Sequence, residues 1–332
     1  MNRRLILPVL IFVFAALLPF RSPAPLIHVP GEGWYYEPAG GNLKWVRQRA
    51  SDQLQVAQDA FKQKDYATAS HAAHRILRVW PQSDYAPAAQ FLLAECLEAE
   101  GRDEMAFNSY QALIQKYPTS KEYNTALRKQ YEISNRFLAG EWTRIGFGYI
   151  PFPMSLDDTA NMFAKIVNNG PYSDVAPHAQ LHVGATRDKQ KNYEEAVKAY
   201  ELAADRYHDQ PDIAADAMYH QGLSYEREAE KAEYDQSTAG KAIAAYTDFI
   251  TIFPDDKRVA AAQKAILALK EEQVRGNFEI AKFYEKGHKW MGAVIYYNEV
   301  LQLDPNSSYA AIARQRIETL KPKIRTEPTA SN

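Results

Sequence analysis

The chain has 332 residues, with 39 Lys and Arg against 41 Asp and Glu for a formal charge of −2, so no global field draws it to nucleic acid or an acidic surface. Its 46% apolar and 12% aromatic content excludes wholesale disorder, and its single cysteine, Cys96, excludes an internal disulfide framework and a four-cysteine zinc site. With 21 Tyr and only 15 Gly, the composition suits close-packed helices with almost no strand.

Arg3 and Arg4 precede the apolar run Leu5 to Phe20, the charged and apolar regions of an export signal. Residues 1–24 are therefore expected to be an export signal or an N-terminal anchor. Residues 25–50, rich in Pro and Gly around Trp34-Tyr35-Tyr36, read as an extended aromatic lead-in without regular structure that lies on the first helices or, alternatively, serves as an aromatic arm for a partner.

From there a unit recurs. Each copy has a first helix with a small central residue, a short turn ending in an aromatic, a second helix with Ala and then a ring one turn on, and a closing proline. Ala57 to Pro81, Ala94 to Pro118 and Ala281 to Pro305 each span 24 positions. Gly184, Tyr193, Ala196, Tyr200 and Ala203 form a further copy, and Gly222, Tyr225, Ala242, Tyr246 and Pro254 another, with Lys231 to Gly240 inserted. A degenerate copy starts at Tyr123, carries the insertion 139–155, and resumes at Ala160, Ala164 and Pro171. The small residue lets the second helix approach, the ring fills the space so left, and proline ends the unit. A helix pair of about 34 residues is the tetratricopeptide signature. The expected fold is all-α: a tetratricopeptide-repeat superhelix, or α-solenoid, of five to six helix pairs with a C-terminal capping helix. Its N-terminal repeats occupy 51–171, its C-terminal repeats and cap 172–325, and residues 326–332 form a disordered tail.

The junctions Trp80-Pro81-Gln82-Ser83-Asp84-Tyr85-Ala86, Tyr117-Pro118-Thr119-Ser120-Lys121-Glu122-Tyr123 and Pro171-Tyr172-Ser173-Asp174-Val175-Ala176-Pro177 resemble the Y-P-x-S-x-Y-A linkers of the BamD (ComL) outer-membrane assembly family. So does the C-terminal string Phe278 to Tyr284, Trp290 to Val294 and Tyr296 to Val300. The resemblance covers about Asp52 to Leu320. It implies an exported scaffold at the inner face of the outer membrane of a diderm bacterium, in the periplasm. Its implied partners are a BamA-like barrel-assembly protein, through its POTRA repeats, and unfolded outer-membrane protein segments. Members of the family are usually lipoproteins. No cysteine lies near the end of this signal, so membrane association would rest on the N-terminal segment or on a partner. The alternative role is a cell-envelope coordination scaffold serving peptidoglycan synthesis or division; an enzyme with its site in the 139–155 insertion is the third reading.

No catalytic constellation accompanies the repeats. His71 with His74, and His178 with His182, have helical spacing, but two ligands are too few for a metal. Neither a metal nor a cofactor is expected, and Cys96 reads as a buried inert thiol. Asp157-Asp158 reads as a helix cap. First-helix residues offset from the core stripe point into the groove. They are Gln58, Phe61, Phe91, Glu95 and Glu98 in the N-terminal half, and Arg275, Phe278, Lys282 and Glu285 in the C-terminal half, with several of the aromatics reading equally as core. Such a mixed lining suits an extended or helical peptide. The insertion adds Trp142, Phe147, Tyr149 and Phe152, expected to dock on the chain's own repeats or on a partner.

Overall fold

The computed structural model describes residues 26–29, 33–36, 45–145, 150–231 and 236–325. Thirteen helices lie among them. Twelve form six successive pairs: α1 (Ala50–Lys62) with α2 (Tyr66–Val79), α3 (Ala86–Ala99) with α4 (Asp103–Lys116), and α5 (Tyr123–Ala139) with α6 (Leu156–Asn169). Then come α7 (Ala176–Lys189) with α8 (Tyr193–Arg206), α9 (Pro211–Lys231) with α10 (Gln236–Ile252), and α11 (Val259–Lys286) with α12 (Trp290–Leu303). Helix α13 (Ser308–Arg325) follows the last pair.

The chain separates into two compact units, Met1–Ala126 with Arg144–Ile150, and Leu127–Thr143 with Pro151–Asn332. In the first, α1 to α4 pack in chain order and α1 also touches α3. In the second, α6 to α13 pack in chain order, and α7 touches α9, α9 touches α11, and α11 touches α13. Contacts between alternate helices are how repeat arrays share one continuous core.

The small central residues do what their size suggests. A Cβ added at Gly184 would sit 2.6 Å from the Tyr200 ring, and one added at Gly222 would sit 2.7 Å from the Tyr246 ring. Ala94 and Ala281 are fully buried at the matching position, with Tyr110 and Tyr297 buried opposite. Each of these rings ends in a hydroxyl that donates to a carboxylate on its first helix. Tyr110 reaches Glu98 at 3.2 Å, Tyr200 reaches Asp188 at 3.2 Å, Tyr246 reaches Glu226 at 2.6 Å and Tyr297 reaches Glu285 at 2.9 Å. A buried phenol needs such a partner. Burial foremost, with the neighbouring carboxylate behind it, pushes the Tyr200 and Tyr246 hydroxyls far above the ordinary phenol range, so both remain donors. Asp188 also accepts from Ser224 at 2.8 Å and pairs with Arg227 at 3.5 Å, which ties α7 to the next first helix, α9.

Turns within pairs share one geometry. Lys64, Gly101, Lys191 and His288 all adopt positive φ, between 57° and 71°, the left-handed residue that closes a helix C-terminus. Gly140, at φ 95°, closes α5 in the same way. Linkers repeat as well, because two consecutive turns follow five of the six second helices, the exception being α8, where one turn leads to Pro211. Ser83 N donates to Trp80 O and Ala86 N to Ser83 O; Asp256 N donates to Phe253 O and Val259 N to Asp256 O. The tyrosine before two of these linkers spans a whole repeat, with Tyr117 donating to Pro81 O at 3.0 Å and Tyr207 to Pro171 O at 3.1 Å.

Several expectations need correction. The lead-in is not without regular structure: β1 (Leu26–Val29) and β2 (Gly33–Tyr36) pair antiparallel, Leu26 opposite Tyr36 and Val29 opposite Gly33. The count of Pro and Gly hid two short runs of strand-forming residues. Its described end does pack on α1, where the buried Gln53 amide binds Trp45 O and Arg47 N. The 139–155 insertion holds a second hairpin of β3 (Trp142–Ile145) and β4 (Ile150–Pro153). The insertion in the fifth pair is shorter than expected, since α9 continues to Lys231 and Gln236–Gly240 already belong to α10. Residues 1–24 and 326–332 lie outside the described residues.

A side chain in the left-handed region costs about 1–2 kcal/mol that glycine does not pay. Gly101→Ala should therefore lower stability by about 1 kcal/mol or more, and Lys191→Gly should raise it by about 0.5–1 kcal/mol. Urea unfolding of both variants checks the pair of signs.

The linker before α11 carries an acid-sensitive pair. Arg258 donates to Asp256 at 2.7 and 2.8 Å, pairs with Asp216 of α9, and stands 5.2 Å from the Tyr219 ring centroid. Hydrogen bonding from Arg258 holds the Asp256 carboxyl down at about 2, against roughly 3.9 unfolded. A depressed folded value means the unfolded chain takes up the proton first, so this contribution is complete above pH ~4 and is lost as pH falls toward ~2. Asp256→Asn should flatten the acid limb of the stability curve in that window, as read by denaturant midpoints measured against pH.

Candidate functional site

The last pair and α13 enclose the candidate site. Val274, Phe278 and Ala281 of α11, Ala293, Tyr297 and Val300 of α12, and Ala313, Ile317 and Leu320 of α13 form their common core. Above that core lies a pocket of about 740 Å³, open to solvent. One row of α11 forms its floor, with Glu279, Lys282, Phe283 and Lys286 at the i, i+3, i+4, i+7 spacing of a helical face. Helix α12 supplies Trp290 and Tyr297, and α13 supplies Ile312, Arg316 and Lys323. Phe283 is 74% exposed and Ile312 47% exposed, an unusual display for side chains of that size.

Charge in the pocket is partly internal. Lys282 pairs with Glu279 at 2.9 Å, while Glu285 accepts from Tyr297 and, at 3.1 Å, from Arg316 Nε. Lys323 stands 4.6 Å from the Trp290 ring centroid, within cation–π range. Four Lys and Arg side chains face two carboxylates, so the pocket keeps a net charge of +2.

The structure gathers Phe278, Lys282 and Glu285 at this pocket and leaves Arg275 outside it, exposed and paired with Glu272. Phe278 serves both the core and the pocket wall: it is 7% exposed and packs against Tyr297 and Tyr309 at 5.6 and 5.0 Å. Arg316 and Lys323, on the C-terminal helix α13, also line the pocket. Phe283, Lys286, Trp290 and Ile312 were missed as lining residues. The signal for Phe283 and Lys286 was present in their spacing from Glu279, but the Phe283-Tyr284 pair read as a repeat motif.

The N-terminal candidates do not converge. Gln58 lines a separate, more polar pocket of about 550 Å³ between α1 and the two linkers of the first unit. Phe61 packs on Tyr66 at 5.5 Å, and Phe91 lies 5.3 Å from Tyr110. Glu98 is the acceptor for Tyr110, and Glu95 is half-buried. In the insertion, Trp142 is 59% exposed and Phe152 50% exposed; Phe147 and Tyr149 lie outside the described residues. The hairpin docks on its own chain through Arg144, whose N–H donates to Gly101 O at 3.1 Å and whose side chain covers that glycine.

The remaining singled-out groups are structural. Burial pushes the Cys96 thiol up to about 11, so it stays protonated. His182 sits among Tyr131 and Phe163 and His71 stacks on Trp45, with burial lowering both imidazoles. Ser155 and Asp158 cap α6, while Asp157 pairs with Arg187 at 2.6 Å. Among the described residues, no group of three His, Cys, Asp or Glu is arranged to hold a metal. None of the helices there is long and apolar enough to cross a membrane.

Small residues facing buried rings, left-handed turns and double-turn linkers together define an all-α, solenoid-like tetratricopeptide-repeat protein. A tetratricopeptide-repeat family model matches residues 54–121, and the YfiO family model, described as an outer membrane lipoprotein, matches residues 154–304. The chain is BamD-like. It is 28% identical over 142 residues to the outer membrane protein assembly factor BamD of Rickettsia prowazekii (strain Madrid E), a match covering 43% of this chain and 56% of that relative. Similar solved structures include a tetratricopeptide-repeat protein of Bacteroides fragilis (14% identity, TM-score 0.37, covering 83% of this chain and all of that one). Another is the type IV pilus biogenesis factor PilW (14% identity, TM-score 0.28, covering 81% and 100%).

Glu285 joins the three helices of the site, which sets the expected mutant series. Tyr297→Phe keeps the ring and leaves Glu285 with Arg316, costing about 1 kcal/mol. Glu285→Leu strands both a phenol and a guanidinium, and should cost about 2–3 kcal/mol. Denaturant unfolding followed by helical circular dichroism orders the two.

Proposed function

We propose that this protein is a non-catalytic scaffold of the cell envelope of a diderm bacterium, acting at the periplasmic side in assembly of β-barrel proteins into the outer membrane. Its partners in this reading are a BamA-like barrel-assembly protein and unfolded outer-membrane protein segments. The observation that carries the proposal is the YfiO match over 154–304, which includes α11 and α12 and with them most of the exposed wall of the 740 Å³ pocket. A mixed wall of rings and charges on stacked helices is suited to polypeptide, because it offers apolar anchoring and charge pairing along an extended surface. Cys96, the one thiol, is too buried and too basic to act as a nucleophile at neutral pH.

Affinity capture from detergent-solubilised envelopes of the source bacterium, with the full chain as bait, tests this directly. A BamA-type protein and barrel precursors should be recovered above a bait-free control. Recovery of peptidoglycan-synthesis or division enzymes in their place would move the protein to the envelope-coordination role.

A further inference from the structure

The C-terminal pocket combines three properties that together select a ligand. Its apolar surface is on display rather than buried, with Phe283 and Ile312 standing out of α11 and α13. Its net charge is positive in a chain whose total is −2. Its cations are spread over two walls, Lys282 and Lys286 on α11 and Lys323 on α13, so they reach separate points along an occupant rather than converging on one. A small anion is best held by convergent donors in an enclosed site, and a terminal carboxylate by a nest of backbone amides. Here the lining is drawn from three helix faces, with His288 added from the turn between α11 and α12, rather than from convergent donors. Nucleic acid is disfavoured because phosphate tracking needs a continuous groove of one sign, and Glu279 interrupts the cations of the α11 wall.

The geometry points to an acidic polypeptide segment as the occupant of this pocket: aspartate or glutamate side chains flank an aromatic or branched aliphatic residue that packs on Phe283, Trp290 and Ile312. The inference rests on the scaffold reading above and names the chemistry of the partner it would hold at this end of the repeats. Charge complementarity across a partly exposed surface acts through a screened field, so affinity should fall as salt is raised. The aromatic contact supplies the salt-independent remainder.

Fluorescence anisotropy with purified full-length protein tests the assignment. The probes are a short labelled peptide alternating glutamate with phenylalanine, the same peptide with lysine in place of glutamate, a labelled single-stranded oligonucleotide, and vesicles containing an anionic phospholipid. The glutamate peptide should bind, and more weakly as salt rises. The double variant Lys286→Glu, Lys323→Glu should weaken it about tenfold or more. Phe283→Ala should weaken it severalfold, with helical circular dichroism unchanged because that ring is exposed. Equal binding of glutamate and lysine peptides, preference for the oligonucleotide or the vesicles, or unchanged affinity in the double variant would overturn the proposal. Because purified protein and synthetic peptides are used, such a failure removes the pocket assignment while envelope capture still decides the scaffold role.

Discussion

One contact carries the architecture: on four of the six second helices a tyrosine ring fills the gap above a glycine or alanine of its first helix, and its hydroxyl is tied to a carboxylate one turn further on. Burying such a ring contributes about 2–3 kcal/mol before ordering costs, and the hydroxyl bond prevents the desolvation penalty that an unpaired phenol would add. Because the ring is held at both ends, the pair can close in only one register. Repeating the contact at Tyr110, Tyr200, Tyr246 and Tyr297 repeats the shape of the pair.

The same lock governs the electrostatics of the surface. Glu285 lies in the pocket wall but spends its oxygens on Tyr297 and Arg316, so it holds the helices together more than it opposes an incoming anion. Asp188 does the equivalent inside the second unit, where Tyr200, Ser224 and Arg227 surround it. A scaffold of this kind separates stability from recognition. Glu98, Asp188, Glu226 and Glu285 are turned to the rings that fix helix spacing, and the exposed α11 face carries Phe283, Lys286 and the Lys282–Glu279 pair.

Insertions are placed where the lock tolerates them. The β3–β4 hairpin follows Gly140, at the left-handed position that elsewhere leads straight into a second helix. The pair survives because α6 still packs on α5 through Tyr131 and Phe163. Arg144 anchors the hairpin to the Gly101 turn, which explains why Gly101 is doubly constrained, by its own φ and by the side chain lying on it.

Local chemistry made much of this legible. Five to six pairs, the five proline-led linkers and the capping helix follow from the spacing of small residues, rings and prolines, because each is dictated by neighbours within about one repeat. Phe278, Lys282 and Glu285 could be placed near a groove for the same reason, by their offset from the core stripe. What the tertiary structure alone decided was the job of each offset residue. Phe278 became core because Tyr309, 31 positions along the chain, packs on it, and Phe283, five residues further along α11 and on another face, was left in solvent. Two hairpins escaped notice because four-residue strands are too short to show a period. Periodicity reports which face of a helix is apolar; it cannot report which neighbour arrives to cover that face, and that arrival separates a binding surface from a core.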